Sequence, residues 1–377
     1  MKILRNIFLY TVLFSLLSPV FAFAQETQQE IQGIWHAQVI QITDTKTEIL
    51  FPSSVESITQ TLKAELLEGP NKGSVVTFDN DYIQLKEGQK FFINYFISSE
   101  EDTYYSVYEV DRRASIIGLM ILFVMVIIVF SGKQGVRSLV ALAGSILVIL
   151  YVLVPTLISG FSPVLISIIV AIAILFFAIF FTHGFNKPSA VAFGGTVSAV
   201  VLTGLLAMLS IHLSHLTGFA SDESVYLNFN TDGQLDFVGL LLAAIIIGAI
   251  GVLDDVAITQ VAVVRELYAT DRNLEKWRVY KKAMRVGREH VSALINTLVL
   301  AYTGAALPLL LLFSQSENAF GSIINREIFA TEIVRTMVGS IGLVLAVPIT
   351  TLLAVYMLEK YKDKEGKECD KTFHTHK

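Results

Sequence analysis

Residues 237–264 read FVGLLLAAIIIGAIGVLDDVAITQVAVV, where two adjacent carboxylates, Asp254 and Asp255, interrupt a run of 28 otherwise uncharged residues. As one helix rising about 1.5 Å per residue the run extends roughly 42 Å, longer than a hydrocarbon core of about 30 Å requires. Two readings follow. In one, a carboxylate sits at membrane depth, where insertion costs about 2.5–3.5 kcal/mol and marks a functional site. In the other, the helix ends at Leu253 and the pair lies in the wet headgroup layer. Burial depth decides between them.

The rest of the composition agrees with a membrane setting. Of 377 residues, 53% are hydrophobic and only 16% charged, with a mean hydropathy of +0.61; a soluble domain carries about 25% charged residues. The net charge of −5 says little, because topology distributes the charges. The single cysteine, Cys369, excludes an intramolecular disulfide framework and any cysteine-based metal cluster. No phosphate-cradling glycine loop, zinc-binding His-x-x-x-His helix or nucleic-acid module is present. The partners left are the lipid bilayer and a small ion or solute; no cofactor, metal or nucleic acid is expected.

Residues 1–24 have the form of an export signal. Lys2 and Arg5 give a charged start, Ile7–Leu17 an apolar middle, and Ala22-Phe23-Ala24 a small-residue cleavage site before Gln25. Uncleaved, the segment becomes an extra anchoring helix. Residues 25–111 then form an exported β-rich domain. In Lys90–Ile97, Phe91, Ile93, Tyr95 and Ile97 fall on one face of a strand. Trp35–Ile42, Thr61–Leu67, Ser74–Phe78 and Thr103–Val110 are further strand candidates, with a turn over residues 69–73. Five short strands predict a small antiparallel barrel or sandwich, an architecture that includes the oligonucleotide/oligosaccharide-binding type and reveals no ligand.

Residues 112–358 predict an all-α bundle of seven transmembrane helices, at about 114–131, 138–158, 162–182, 190–211, 236–256, 291–314 and 337–357, followed by a cytoplasmic polar tail over 359–377. With the β-domain outside, the inner loops hold Lys133 and Arg137, then Lys187, then eight basic residues between 265 and 288, with six more in the tail. The outer loops hold only Arg326 and Arg335. That asymmetry predicts a multi-pass protein of the cell membrane with its C-terminus inside. Arg112 and Arg113, on the outer side of the first helix, oppose it. The basic inner stretch Arg265–Arg288 has the pattern of an amphipathic helix on an anionic lipid surface, with a nucleotide or regulatory contact as the alternative.

Within the fifth span Ala244, Gly248, Gly251 and Asp255 share one stripe, and small residues on a stripe let another helix approach. The stripe therefore predicts Asp255 on the packed side and Asp254 about 100° away. Gly248 and Gly251 either serve that close packing or break the helix and free carbonyls for a cation. The sixth span presents Ser292, Asn296 and Thr303, as interhelical glue or, for Asn296, as the lining of a polar pocket with Asp255. Small stripes recur at Thr196, Ala199, Thr203, Ala207 and Ser210, and at Gly339, Gly342, Ala346 and Thr350, where Pro348 predicts a kink. Glu332 and Arg335 form an i, i+3 pair that matters only if it faces an outward vestibule. His212 and His215, near Asp222 and Glu223, lack a third metal ligand.

An intramembrane aspartyl protease needs facing carboxylates. Neighbours on one helix diverge, and the other six spans hold no acidic residue within their apolar runs. No Ser-His or Cys-His pair replaces them, so no enzyme is expected.

The chain resembles the YibE/F-like membrane proteins over most of its length after about residue 88. The resemblance rests on Tyr108–Leu119 (YEVDRRASIIGL), Gly248–Gln260 (GAIGVLDDVAITQ), Val286–Phe313 (VGREHVSALINTLVLAYTGAALPLLLLF) and Glu332–Leu353 (EIVRTMVGSIGLVLAVPITTLL). Glu289 stands where aspartate is expected before His290. The resemblance implies a bacterial-type multi-pass membrane protein and supplies no activity. It carries over Asp255, Asn296, Glu332 and Arg335 as positions only. Two functions remain open: a permease for an ion or small solute with Asp255 as proton or cation site, or a non-transporting module whose exported β-domain senses or scaffolds an external partner.

Overall fold

A computed structural model describes residues 32–50, 55–69, 71–97, 103–271, 273–315 and 319–359. The expected signal segment over 1–24 and the tail beyond Glu359 lie outside them. The chain forms two compact units, dividing after Phe123.

In the first unit all five strand candidates become strands: β1 (Gln32–Leu50), β2 (Val55–Leu66), β3 (Val75–Asn80), β4 (Lys90–Ile97) and β5 (Thr103–Val110). They make one antiparallel sheet in the order β3-β2-β1-β4-β5. Period-two alternation sends Phe91, Ile93 and Tyr95 into the core beside Ala37, Val39, Leu62 and Leu66. Two register shifts in β1, at Val39/Gln41 and Ile42/Asp44, bend the strand. The sheet curls until the rings of Phe78 in β3 and Tyr105 in β5 lie 6.4 Å apart. The result is a half-barrel rather than a sandwich, because one strongly curled sheet covers its own apolar face. Trp35 stacks on Tyr95 at 3.7 Å and closes one end.

The strand-to-helix junction is a charge clamp. His36 Nε2 lies 2.7 Å from Asp111 Oδ2, and Arg113 Nε donates to Asp111 Oδ1 at 2.9 Å. Arg113 also covers the Phe92 ring at 4.8 Å, while Arg112 pairs with Glu109. The two arginines that run against the loop-charge asymmetry are thus each neutralised by a carboxylate. The Arg113 guanidinium holds the Asp111 carboxyl far below the usual carboxylate range.

Five helices are long and apolar enough to cross a membrane, or six if one bent pair is a single span. The first is the segment Arg113–Ile158, made of α1 (Arg113–Val148), a π-helical turn (Ile149–Leu153) and α2 (Val154–Ile158). It covers both of the first two expected spans and is interrupted at Gly132, whose φ of 53° and ψ of −134° are non-helical. Leu119 to Met125 are exposed without a break, which is the condition of a helix whose solvent is lipid.

The remaining candidate spans are α3 (Pro163–His183), α4 (Lys187–Leu213), α6 (Phe237–Thr270), α10 (Glu327–Leu358) and the bent pair α7 (Lys276–Ala305) with α8 (Leu307–Ser314). Short helices α5 (Asp222–Asn230) and α9 (Phe320–Ile324) lie between them. Helices α4, α6 and α10 pack on one another; α3 joins them along α4 and α6, and α7 along α6 and α10. The small stripes of α4 and α10 pack as expected. Thr196, Ala199, Thr203 and Ala207 are buried with Gly342, Ala346 and Thr350. A Cβ on Gly195 would come within 2.5 Å of Thr350 Oγ1, and one on Gly342 would run into the Thr203 hydroxyl. Pro348 lies inside α10 without interrupting it.

Two expectations are corrected here. The stretch Arg265–Arg288 is not one surface helix: α6 continues to Thr270 and α7 begins at Lys276. The reason is that the apolar seam of α6 persists beyond the carboxylates. Ala257, Val261, Val264 and Tyr268 meet Val279 and Ala283 of α7 and Val355 of α10 in a second core, and the Tyr268 hydroxyl donates to the Val355 carbonyl at 3.0 Å. The sixth expected span is a broken helix, bent by 64° between α7 and α8.

Two outcomes follow. Gly342→Val is expected to destabilise the detergent-solubilised chain by about 1–3 kcal/mol through overpacking against Thr203. Gly339→Ala, whose Cβ would meet Leu298 at an ordinary 3.8 Å, should be neutral or stabilising by up to about 1 kcal/mol through helix propensity; thermal unfolding compares them. For Asp111 the folded pKa is depressed, so its contribution is present above the unfolded value of about 3.9 and is lost as pH falls below it. The stability of wild type should therefore fall on acidification from about pH 5 downward more than that of Asp111→Asn.

Candidate functional site

The site is built from the two faces of α6. Its large apolar residues, among them Leu242, Ile246, Ile250 and Leu253, are buried against neighbouring helices. Ala244, Gly248, Gly251 and Asp255 are exposed. This corrects the expected packed-side placement of Asp255. The bulky face has more atoms to offer at a helix contact, and dispersion is summed over atoms, so it takes the interior and leaves the small stripe open. Nor do the glycines break the helix, since α6 is continuous from Phe237 to Thr270. A Cβ on Gly248 would lie 3.4 Å from the Tyr302 hydroxyl of α7, whereas one on Gly251 would meet nothing within 4 Å.

At one end of the stripe stand the carboxylates. Asp254 is half-buried and Asp255 exposed; Asp254 Oδ1 accepts the Asp255 backbone N–H at 2.9 Å. His183, at the end of α3, and His290, on α7, both lie within electrostatic reach of Asp255. Helices α3 and α7 thus flank the stripe where the charge sits. Asn296 is exposed on α7, and no hydrogen bond ties it to either aspartate. The α7 side chains that reach the stripe are His290 and Tyr302. Sequence spacing missed both, although His290 stands in the quoted Val286–Phe313 stretch, and it left His183 without a partner.

At the other end of the stripe is a cavity of about 620 Å³, which takes in Ala244 and Tyr302. Glu332 and Arg335 of α10 line it, with Arg335 Nη1 donating to Glu332 Oε1 at 2.7 Å. The pair does face a vestibule, the condition set for its interest. Two donors on that wall are unspent: Arg335 Nε and the Thr331 hydroxyl are buried without hydrogen-bond partners. Ser221, the cap of α5, and Glu223 within it also line the cavity, and Phe237, Leu240 and Leu309 give an apolar lining. The wall is held by Glu327 at the start of α10, whose carboxylate accepts the backbone N–H groups of Thr217 and Gly218, each at 2.7 Å. Gly218 has φ +86°, and a Cβ there would strike the Phe237 carbonyl, so only glycine fits.

Between cavity and carboxylates the exposed stripe runs eleven residues, from Ala244 to Asp255, about 16 Å along a helix. His212 and His215 join no cluster: among the described residues no three His, Cys, Asp or Glu side chains gather in a metal-binding group.

The profile of the YibE/F-like protein family matches residues 119–360. The chain belongs to the YibE/F-like family. The match takes in Asp254, Asp255, Asn296, Glu332 and Arg335, together with His183, His290 and Tyr302, and so covers the whole site. It leaves the half-barrel outside, including most of the Tyr108–Leu119 stretch on which part of the resemblance rested. No curated protein and no solved structure matches the chain.

In a Cys369→Ser background, Ala244→Cys and Gly251→Cys should react with a membrane-impermeant thiol reagent in vesicles opened to both sides. Leu209→Cys, on an exposed apolar face of α4, should stay unlabelled. Ala244→Cys and Gly251→Cys staying as unlabelled as Leu209→Cys would show that the stripe faces lipid.

Proposed function

We propose that the bundle is a permease-like transporter of an ion or small solute, with Asp255 as its proton or cation site. The observation that carries the reading is the path from a charged cavity, along the exposed small-residue face of α6, to a carboxylate pair flanked by two histidines. A carboxylate at the end of such a path alternates between ionised and neutral forms as its ion arrives and leaves. Asp254 assists from the half-buried flank, and Tyr302 beside Gly248 narrows the passage.

In this reading the bundle has seven spans. A Cβ on Gly135 would lie 2.8 Å from the Ile127 carbonyl, eight residues earlier, a separation of about 12 Å on a straight helix. The chain therefore doubles back at Gly132, and Arg113–Ile158 supplies two crossings. The loop charges favour a cell-membrane protein with the half-barrel outside and the tail in the cytoplasm. No chemistry is performed on the solute, and no cofactor takes part.

A second reading, a sensor or scaffold, is favoured by the clamp of His36, Asp111 and Arg113, which ties the sheet directly to the first helix. Flux separates the two. Purified protein in liposomes, loaded with a pH dye and given proton, sodium and potassium gradients, should carry a current that Asp255→Asn lowers by about tenfold or more, equivalent to ~1.4 kcal/mol of barrier. The variant should elute and melt as wild type does. Absence of flux under every gradient, or a current indifferent to Asp255→Asn, would overturn the permease reading and leave the sensor.

A further inference from the structure

The cavity holds charges of both signs at fixed places, and its polar atoms are only partly used. Arg335 spends Nη1 on Glu332 and keeps a buried Nε with no partner. An Nε–H beside a free Nη2 is the edge of a guanidinium that takes a carboxylate in two parallel hydrogen bonds. Thr331, one turn away and 2% exposed, also lines the cavity and has a buried hydroxyl without a partner. A buried donor left unmade costs about 1–3 kcal/mol, so this wall is built to be completed by an acceptor.

The lining also carries negative charge. Glu223 is held ionised by its own backbone N–H and the Ser221 hydroxyl, and Glu332, beside Arg335, has a second oxygen beyond the one that Arg335 engages. With one guanidinium against two carboxylates, a simple anion would satisfy Arg335 and Thr331 while adding repulsion at Glu223. A simple cation would satisfy the glutamates and leave the two donors orphaned. Only a ligand with both charges close together meets both sides. The lining between them, Phe237, Leu240 and Leu309, asks for an apolar body, and about 620 Å³ lies within the usual range for a small-molecule site.

We infer that this cavity binds a small zwitterion of the amino-acid type with an apolar side chain. Its carboxylate lies on Arg335 Nε and the Thr331 hydroxyl, and its ammonium faces Glu223 and Glu332. Its place in a transport cycle rests on the permease reading; the binding itself does not. The same cavity opens on Ala244, the first residue of the stripe that leads to Asp255, so substrate and coupling ion occupy opposite ends of one path.

The test is calorimetry and thermal shift on the full chain in lipid nanodiscs, with no gradient applied. The probes are leucine, phenylalanine and methionine, then N-acetyl-leucine, which keeps only the negative charge, and leucine amide, which keeps only the positive one. At least one free amino acid should bind and raise the melting temperature, with both blocked analogues weaker by about tenfold or more. Thr331→Val, which keeps shape and loses the hydroxyl, should weaken binding about five- to tenfold, and Arg335→Lys should weaken it further while eluting as a folded protein. Binding of N-acetyl-leucine or leucine amide as tight as that of leucine would overturn the proposal. So would indifference to Thr331→Val and Arg335→Lys together, or no binding by any of the three amino acids at millimolar concentration. Binding without flux removes the permease reading and leaves this site standing; ion flux without amino-acid binding does the reverse.

Discussion

The bundle depends on which face of α6 is buried. Leucine and isoleucine side chains at 242, 246, 250 and 253 fill the space against α3, α4 and α10, and Ile246 reaches α4 beside Gly204 at 3.4 Å from where a Cβ would stand. In lipid there is no water to expel from between helices, so the gain is contact density. A large side chain makes tens of dispersion contacts where glycine makes few. Once the bulky face is inside, Ala244, Gly248, Gly251 and Asp255 are outside by the 100° turn per residue, and the carboxylate is placed on an open groove rather than in the core.

Among the described residues, the buried polar members of this interior are serine and threonine hydroxyls and the Gln260 amide. Both threonine hydroxyls on α4 return to their own helix, Thr196 to the Ala192 carbonyl at 2.9 Å and Thr203 to the Ala199 carbonyl at 2.8 Å. Gln260, fully buried, instead accepts from Thr351 of α10 at 3.0 Å and keeps an unpartnered Nε2 beside Gly287. It fixes the register of α6, α7 and α10 just below the carboxylates.

Periodicity made the strands legible, because a half-barrel needs one apolar face per strand, and Phe91, Ile93 and Tyr95 announce it. The small stripes of α4 and α10 were legible for the same reason. The stripe of α6 was not, because its pattern is the same as theirs and only competition with the isoleucine face on the other side decides which is buried. The histidines were invisible for a different reason. His183 and His290 are over a hundred residues apart in sequence and meet near Asp255 only through the parallel course of α3 and α6 and the return of α7. Arg112 and Arg113 looked like violations of the charge asymmetry until Glu109 and Asp111, one to three residues away, were seen to pair with them.

The location of the helix break shows the same physics from the backbone side. Glycines at 248 and 251 lower helix propensity, but opening a helix in hydrocarbon strands N–H and C=O groups with no water to take them, and that cost exceeds the propensity lost. Proline has no such choice, since it lacks the N–H and crowds the carbonyl four residues earlier. Pro308 therefore takes the break, one residue into α8, and the 64° bend falls beside Ala305, Ala306 and Leu309, all on the cavity wall. The Ala306 N–H still bonds the Tyr302 carbonyl at 3.0 Å. Irregular backbone at membrane depth is tolerated where it borders a cavity that water can fill. Pro348, by contrast, lies inside α10 without interrupting the helix. The break, the cavity and the exposed stripe therefore occur together: each supplies the space that lets the others exist in a bundle surrounded by lipid.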